Sequence, residues 1–182
     1  MRRTAMTIGF ASLAIAGCAA DSAADRPAAA AAPVTAAADL RDASGRSWAR
    51  ASAGQVGDSV RIAIEAAGMA PGSYAAHVHT TGQCAPPDFT SAGPHWNPIN
   101  QQHGKDNPQG MHKGDLPNLL IGADGRGTLE YMIPAASLAA GAAPLLDADG
   151  AAVVIHAKPD DYRSDPAGNA GARAACGVLQ LR

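Results

Sequence analysis

The chain has 182 residues, of which 16% are charged, and its formal net charge is -2 at pH 7. This near-neutral balance, without a lysine or arginine cluster, argues against nucleic acid as a partner. Beyond a short N-terminal segment, no stretch is apolar enough to span a membrane. The remainder has the length of one domain.

The chain begins with Met1-Arg2-Arg3, continues with an apolar run from Ala5 to Ala16, and then reaches Cys18. A basic start and an apolar core well short of ~20 residues predict a secretory signal peptide rather than a membrane span. The small residues before Cys18 resemble a bacterial lipobox, so we predict a signal peptide at residues 1–17 and lipidation of Cys18. Ordinary cleavage at a nearby alanine-rich site is the alternative. The predicted location is the periplasm, with anchoring to the outer membrane.

Residues 18–38 are mostly alanine, with prolines at positions 27 and 33, and lack the large apolar side chains of a core. Proline interrupts the helix that alanine would favour, so this segment is predicted to be a tether. The folded domain is expected to cover residues 39–182.

Cys84 and Cys176 are the two cysteines that remain once Cys18 is assigned to lipid. Disulfides persist outside the cytoplasm, so the pair is predicted to form a bridge, with two free buried thiols as the alternative. Such a bridge would close a loop of about 90 residues, which stabilises a protein by roughly 4 to 5 kcal/mol in the chain-entropy model.

Several short segments have the pattern of strands. Apolar residues alternate with others from Val60 to Ile64, and the segments Leu119 to Ile121 and Thr128 to Ile133 flank a turn at residues 123–126. Ala151 to Ile155 and the alternating C-terminal residues 179–182 complete the set. Short strands with glycine-rich turns predict an all-β antiparallel sandwich or barrel.

Two irregular stretches, residues 80–117 and 158–175, are rich in glycine, proline and polar residues. The first is too long for an ordinary connection, and long loops need a reason to stay ordered. A metal and the disulfide are the candidate reasons.

All six histidines fall within four short segments. His77 and His79 are two residues apart on a predicted strand, so both side chains project from one face. His95, His103, His112 and Asp115 supply three imidazoles and one carboxylate from one loop, the number that a closed tetrahedral zinc site requires. His77, His79 and His156 form a further imidazole set, which suits copper as well as zinc.

The segments around these histidines form a set of motifs: His77-Val78-His79 with Gly82 and Cys84, Gly93-Pro94-His95-Trp96-Asn97-Pro98, His103-Gly104, His112-Lys113-Gly114-Asp115-Leu116, Val154-Ile155-His156-Ala157-Lys158-Pro159-Asp160-Asp161, and Gly171-Ala172-Arg173-Ala174-Ala175-Cys176-Gly177-Val178. Over residues 39–182 the chain resembles bacterial copper,zinc superoxide dismutases. The resemblance implies a Greek-key sandwich or barrel of about eight strands with two long functional loops.

The resemblance also implies two metal ions. Copper is expected at His77, His79, His95 and His156. Zinc is expected at His95, His103, His112 and Asp115, so that His95 bridges the two metals. A carboxylate at Asp160 would accept N–H bonds from His77 and His103 and fix their orientation.

The implied reaction is the dismutation of superoxide to oxygen and hydrogen peroxide by a copper redox cycle, in which His95 also carries a proton. Arg173 matches the arginine that attracts and orients superoxide, and its forked donors suit a small anion. The alternative is a non-catalytic copper- and zinc-binding protein of the same fold, which would not need Arg173. Monomer and homodimer both remain open.

One segment departs from the family pattern. Family members usually have His-Gly and a bulky apolar residue before the paired histidines, where this chain has Tyr74-Ala75-Ala76. All ligands are retained, and a looser copper site is expected.

Overall fold

The computed structural model describes residues 34–141 and 143–182. The predicted signal peptide, the lipidation site Cys18 and tether residues 19–33 lie outside the described residues. Within the described part of the chain, no helix has the length and apolar character needed to cross a membrane.

The described residues form ten strands and one 3-10 turn at Thr90–Ala92. The first five strands are β1 (Thr35–Arg41), β2 (Ser47–Val56), β3 (Ser59–Ala67), β4 (Gly72–Tyr74) and β5 (Ala76–His79). The remaining five are β6 (Leu119–Ile121), β7 (Arg126–Ile133), β8 (Ala152–His156), β9 (Arg173–Val178) and β10 (Gln180–Leu181).

The strands form one large antiparallel sheet and one small one. The large sheet has eight strands, in the order β5-β8-β9-β1-β2-β3-β7, with β10 also paired to β1. Strands β4 and β6 form the second sheet. The pairs β3–β7 and β9–β1 join strands that are distant in the chain, as Greek-key crossings do. The predicted all-β antiparallel fold is therefore confirmed.

Alternating burial explains why these segments are strands. In β3, Val60, Ile62 and Ile64 are fully buried while the intervening residues are more exposed. Strands β1 and β2 bury small alanines instead, including Ala36, Ala51 and Ala53. Large side chains on one strand and small ones on its neighbours pack into one hydrophobic core.

Two sequence-based boundaries and one expected turn differ from the structure. The first strand begins at Thr35, so residues 35–38 of the expected tether belong to the sheet, because Ala36 and Ala38 are buried against β2. The turn at residues 123–126 is present, but it does not join paired strands: β6 pairs with β4, and β7 pairs with β3. The irregular stretch expected to reach residue 175 ends where β9 begins at Arg173.

Strand β8 is buried on both faces. Val153 and Ile155 pack into the main core, whereas Ala152 and Val154 pack into a second, smaller cluster with Phe89. Strand β5 pairs with β8 and has the same two-faced arrangement, with Ala76 and Val78 in the main core. His77 and His79 therefore lie on the opposite face of the sheet.

The loop between β5 and β6 covers that outer face and is fastened by the Cys84–Cys176 disulfide. The Cα atoms of the two cysteines are 5.7 Å apart and 92 residues apart in sequence. Cys176 lies in β9 and belongs to the second cluster. The bridge thus ties the start of the histidine-bearing loop to the sheet.

Removing the bridge should lower stability strongly. We expect the double variant Cys84→Ser and Cys176→Ser to lose about 4 kcal/mol of unfolding free energy, because the unfolded chain regains the entropy of a long loop. Urea unfolding of both proteins, metal-free and at equal pH, measures this difference. A loss below ~1 kcal/mol would contradict the role given to the bridge.

Candidate metal centre

Strand β5 lies at the end of the large sheet, and the edge that faces away from β8 is hydrogen-bonded to the backbone of the histidine-bearing loop. Val78 N–H donates to Gly114 O at 2.9 Å, and Trp96 N–H donates to Val78 O at 2.8 Å. A Cβ atom at residue 114 would clash with Val78 O, so this close approach requires glycine. The pairing places Asp115 opposite His77 and His95 opposite His79.

Asp115 is the centre of a converging group of imidazoles. Its Oδ1 atom lies 2.9 Å from His95 Nδ1, 3.0 Å from His103 Nδ1 and 3.1 Å from His112 Nδ1. Its Oδ2 atom accepts the backbone N–H groups of Gly104 and His112, both at 3.0 Å. The backbone bonds fix the carboxylate, and three Nδ1 atoms face one of its oxygens.

A second group of ring nitrogens lies on the β5 and β8 side. Ligating atoms of four histidines come within 4.8 Å of one another: His77, His79, His95 and His156. Within the described residues, the buried atoms His77 Nδ1, His79 Nε2, His95 Nε2 and His156 Nε2 have no hydrogen-bond partner. A buried polar atom without a partner costs ~1–3 kcal/mol of stability. A cation bound between these four convergent nitrogens would remove that cost.

The opposite nitrogens of these rings are held by the protein. His79 Nδ1 lies 2.8 Å from Gly93 O, and His156 Nδ1 lies 3.3 Å from Gly171 O. A carbonyl oxygen can only accept, so each Nδ1 carries the proton and each Nε2 keeps its lone pair. The tautomer needed for metal binding at Nε2 is therefore set before a metal arrives.

Asp160 joins the two groups. Its Oδ2 atom lies 2.8 Å from His77 Nε2, and its Oδ1 atom lies 3.0 Å from His103 Nε2. Gly168 lies directly against this carboxylate, where a Cβ atom would clash with Asp160 and His103. One buried carboxylate thus orients a histidine of each group, as the resemblance implies.

Burial lowers the pKa of the four histidines in the second group. It lowers the pKa of His95 to about 4, helped by the nearby His77, and lowers that of His156 to about 3, again helped by His77. Burial also lowers the pKa of His77 and holds that of His79 well below its usual value. These rings are neutral at pH 7, which is the state that binds metal ions.

His103 has the opposite tendency. Burial opposes its positive charge, but hydrogen bonding to Asp115 and Asp160 outweighs burial and raises its pKa to about 9. Burial likewise opposes the negative charges of Asp115 and Asp160, yet bonds from the histidines, His103 foremost, lower the pKa of both carboxyls. A metal that binds His103 must therefore displace a proton between two ionised carboxylates.

The structure brings together the six histidines, Asp115 and Asp160. His77 also belongs to a set with His95, His103 and Asp115 whose ligating atoms are within 4.8 Å of one another. The His77 ring is 4.0 Å from the His95 ring between centroids, which explains why it adjoins both groups. The Nδ1 atom of His112 lies 3.4 Å from that of His95.

Arg173 stands beside the second group. The strand register places it opposite His156, next to a bulge in β8. It donates from Nη1 to Phe89 O and from Nη2 to Gly93 O, both at 2.7 Å, and Gly93 O also faces His79. Burial lowers the pKa of the half-buried guanidinium, which nonetheless remains charged at neutral pH. Two of its five N–H donors are used, so others remain for an anion.

The segment Tyr74-Ala75-Ala76 stays close to the centre despite its unusual sequence. Ala75 N–H donates to Lys158 O, and His156 N–H donates to Ala75 O, both at 2.9 Å. Tyr74 turns its hydroxyl away to Ala70 O, at 3.0 Å. Both main-chain groups of Ala75 are therefore hydrogen-bonded to the segment from His156 to Lys158.

Sequence reasoning did not identify three residues that shape the centre: Asn118, Asp165 and Gly168. Asp165 Oδ1 accepts the backbone N–H of His103 at 2.6 Å. No spacing rule points to these residues, because their contacts join distant loops. The only local signal is that Gly168 lies in a glycine-containing stretch after His156.

Comparisons with known proteins agree with this geometry. The profile of the copper/zinc superoxide dismutase family matches residues 45–179. A copper-zinc superoxide dismutase of Caulobacter vibrioides is 48% identical over 124 residues, which are 66% of this chain and 71% of that protein. One from Aquifex aeolicus is 42% identical over 145 residues, which are 79% of this chain and 86% of that protein.

A solved structure has the same fold. The crystal structure of a superoxide dismutase-like protein from Bacillus subtilis has a TM-score of 0.74 and 39% identity, and the match covers 79% of this chain and 97% of that chain. The family profile spans most of the present domain and includes both groups of histidines. The chain belongs to the copper/zinc superoxide dismutase family and, like the two enzymes above, dismutates superoxide with copper and zinc.

Proposed function

We propose that copper is bound by His77, His79, His95 and His156, and zinc by His95, His103, His112 and Asp115. The observation that carries the copper assignment is the set of four buried, convergent nitrogens without protein partners in the described chain. The zinc assignment is supported by three Nδ1 atoms that face one carboxylate oxygen. Four nitrogen and oxygen ligands form the closed tetrahedral site that zinc favours.

His95 is proposed to bridge the two metals. Its Nδ1 atom faces Asp115 and the zinc-side rings, and its Nε2 atom faces the copper-side rings. Both ring nitrogens can act as ligands only if both lose their protons, which requires the two divalent cations to replace them.

Copper, when bound, supplies the one-electron redox chemistry by which one superoxide is oxidised to oxygen and the next is reduced to hydrogen peroxide. With its Nδ1 atom held on the zinc side, His95 can accept and return at Nε2 one of the two protons that hydrogen peroxide requires, and the other proton comes from solvent. His79 and His156 are held by carbonyl groups through their Nδ1 atoms.

Arg173 is proposed to attract superoxide and orient it at the copper side. It lines an open depression with Pro87, Asp88, Thr90 and Gly171, so an anion can approach from solvent. A fixed positive charge beside neutral imidazoles favours a small anion over neutral molecules. A protein that only stored metal would have no need of this charge, so Arg173 favours catalysis over storage.

The ligand assignment predicts separable metal losses. We expect His156→Ala to weaken copper binding by more than ~100-fold, beyond the loss of an outer-shell partner, and to retain zinc. The matched variant His112→Ala should lose zinc and retain copper. Metal stoichiometry after exposure to one equivalent of each ion measures both. Loss of the same metal in both variants would contradict the assignment.

The role of Arg173 predicts a salt-dependent loss of rate. Steering of this kind, for which superoxide dismutase is itself a standard example, raises association rates by roughly 10- to 1,000-fold. We expect Arg173→Ala to lower kcat/KM about tenfold at low ionic strength and less at high ionic strength, with both metals retained.

Arg163→Ala is the matched control, because Arg163 is an exposed arginine of the loop that precedes β9 and donates to Asp106 O. It should change kcat/KM little. Equal rates in Arg173→Ala and the wild-type protein at low ionic strength would rule out the steering role.

We further propose that the protein is exported and held at the bacterial outer membrane by lipid on Cys18. The signal-like N-terminus and its lipobox pattern support this location. The first strand begins at Thr35, so the tether would join the domain next to this residue. Thr35 O accepts the N–H of Arg182, so the C-terminus lies beside the same point.

Lipid anchoring predicts that the protein is found in the membrane fraction and that loss of Cys18 releases it. In a bacterium that expresses the full chain, labelled fatty acid should be incorporated into the wild-type protein, and Cys18→Ser should abolish the label and release the protein from the membrane fraction. Unlabelled wild-type protein would contradict lipidation without affecting the metal assignment.

A further inference from the structure

The backbone of Asp160 is clamped by one side-chain amide. Asn118 Nδ2 donates to Asp160 O at 3.0 Å, and Asp160 N–H donates to Asn118 Oδ1 at 2.8 Å. Both hydrogen-bonding groups of the Asp160 main chain are thereby used by a single residue. The two residues are 42 positions apart in sequence, so this clamp fastens one long loop to the other.

Tyr162 closes the same network. Its hydroxyl accepts the backbone N–H of Asn118 at 2.8 Å, and its own N–H donates to Asp160 Oδ1 at 2.6 Å. Asn118 itself is placed three residues after Asp115 and directly before β6. The position of Asp160 is therefore set from the zinc-side loop rather than by its own loop alone.

Only a primary amide suits this position. It offers a donor and an acceptor on adjacent atoms, which matches the N–H and C=O of one residue. A carboxylate of the same size would keep the acceptor but put an oxygen against Asp160 O. Alanine would leave both main-chain groups without these partners.

We infer that Asn118 is a positioning residue that aligns the Asp160 carboxylate with His77 and His103 and so tunes copper and zinc binding together. The inference rests on the proposed ligand assignment. Asp160 must span His77 Nε2 at 2.8 Å and His103 Nε2 at 3.0 Å at once, so a small rotation of its backbone lengthens one bond or both. Neither hydrogen bond of the Asn118 amide goes to a histidine, so its effect passes through Asp160.

The chain contains a closely matched control. Asn97 Nδ2 donates to Gln101 O at 2.8 Å, and Gln101 N–H donates to Asn97 Oδ1 at 3.0 Å. Asn97 thus makes the same pair of bonds to the backbone of one residue, within the loop segment between His95 and His103. These bonds do not involve Asp160.

The test compares Asn118→Ala with Asn97→Ala in the full domain. Copper and zinc dissociation constants are measured by chelator competition. In the metal-free protein, NMR measures solvent exchange of the Nε2 protons of His77 and His103. Loss of a direct outer-shell partner weakens metal binding by ~10–100-fold, and for this residue one step further out we expect about 3- to 10-fold for both metals.

The two imidazole protons should also exchange faster in Asn118→Ala, whereas Asn97→Ala should leave exchange and affinity near the wild-type values. If Asn118→Ala does not fold, Asn118→Asp provides the same test, since it keeps the size and the acceptor and loses the donor. Equal affinities and exchange rates in the Asn118 and Asn97 variants would overturn the inference.

A double-variant cycle tests the route. Adding Asn118→Ala to Asp160→Asn should weaken metal binding no further, because the carboxylate through which Asn118 acts is gone. An undiminished effect in that background would overturn the inference. If Asp160→Asn by itself leaves both metal affinities unchanged, the proposed ligand orientation fails instead, so the two failures are distinguishable.

Discussion

The metal centre depends on two buried carboxylates that hold imidazole rings in fixed orientations. Asp115 faces three Nδ1 atoms through one oxygen and anchors itself to backbone N–H groups through the other. Asp160 spans His77 and His103. Asp160 takes the Nε2 side of both its rings, so the Nδ1 atoms of His77 and His103 remain on the side where the metals are proposed to bind.

Such an arrangement is costly without metal ions. Several buried nitrogens lack partners in the described chain, and each costs ~1–3 kcal/mol. The surrounding structure must therefore hold the rings in place independently of the ions. Three features do so: the pairing of Val78 with Gly114 and Trp96, the disulfide that fastens the loop to β9, and the close packing of Gly168 on Asp160. Metal binding then supplies the partners that these nitrogens lack.

The sequence was most informative where one residue type is rare and locally spaced. His77 and His79 alternate on a strand, and His112 and Asp115 lie close together in one loop, so their convergence could be predicted from short motifs. The alternation of Val60, Ile62 and Ile64 likewise predicted β3. The alternation of apolar residues was enough to identify this strand without knowledge of its neighbours.

The features that could not be predicted depend on partners far along the chain. The alanines of β1 have little strand preference of their own, and their burial against β2 makes them part of the sheet. The turn after β6 predicted a hairpin between β6 and β7, but β6 pairs with β4 and β7 pairs with β3. The clamp of Asn118 on Asp160 is a contact between two irregular loops, for which a single sequence carries no periodic signal.

The most direct measurement is a crystal structure of the copper- and zinc-loaded domain, with anomalous diffraction collected at both metal edges. It should show copper on His77 Nδ1 and the Nε2 atoms of His79, His95 and His156. Zinc should lie on the Nδ1 atoms of His95, His103 and His112 and on Asp115, so that His95 bridges the two ions. A single metal, or a His95 bound to only one of them while copper is in its oxidised state, would contradict the centre described above.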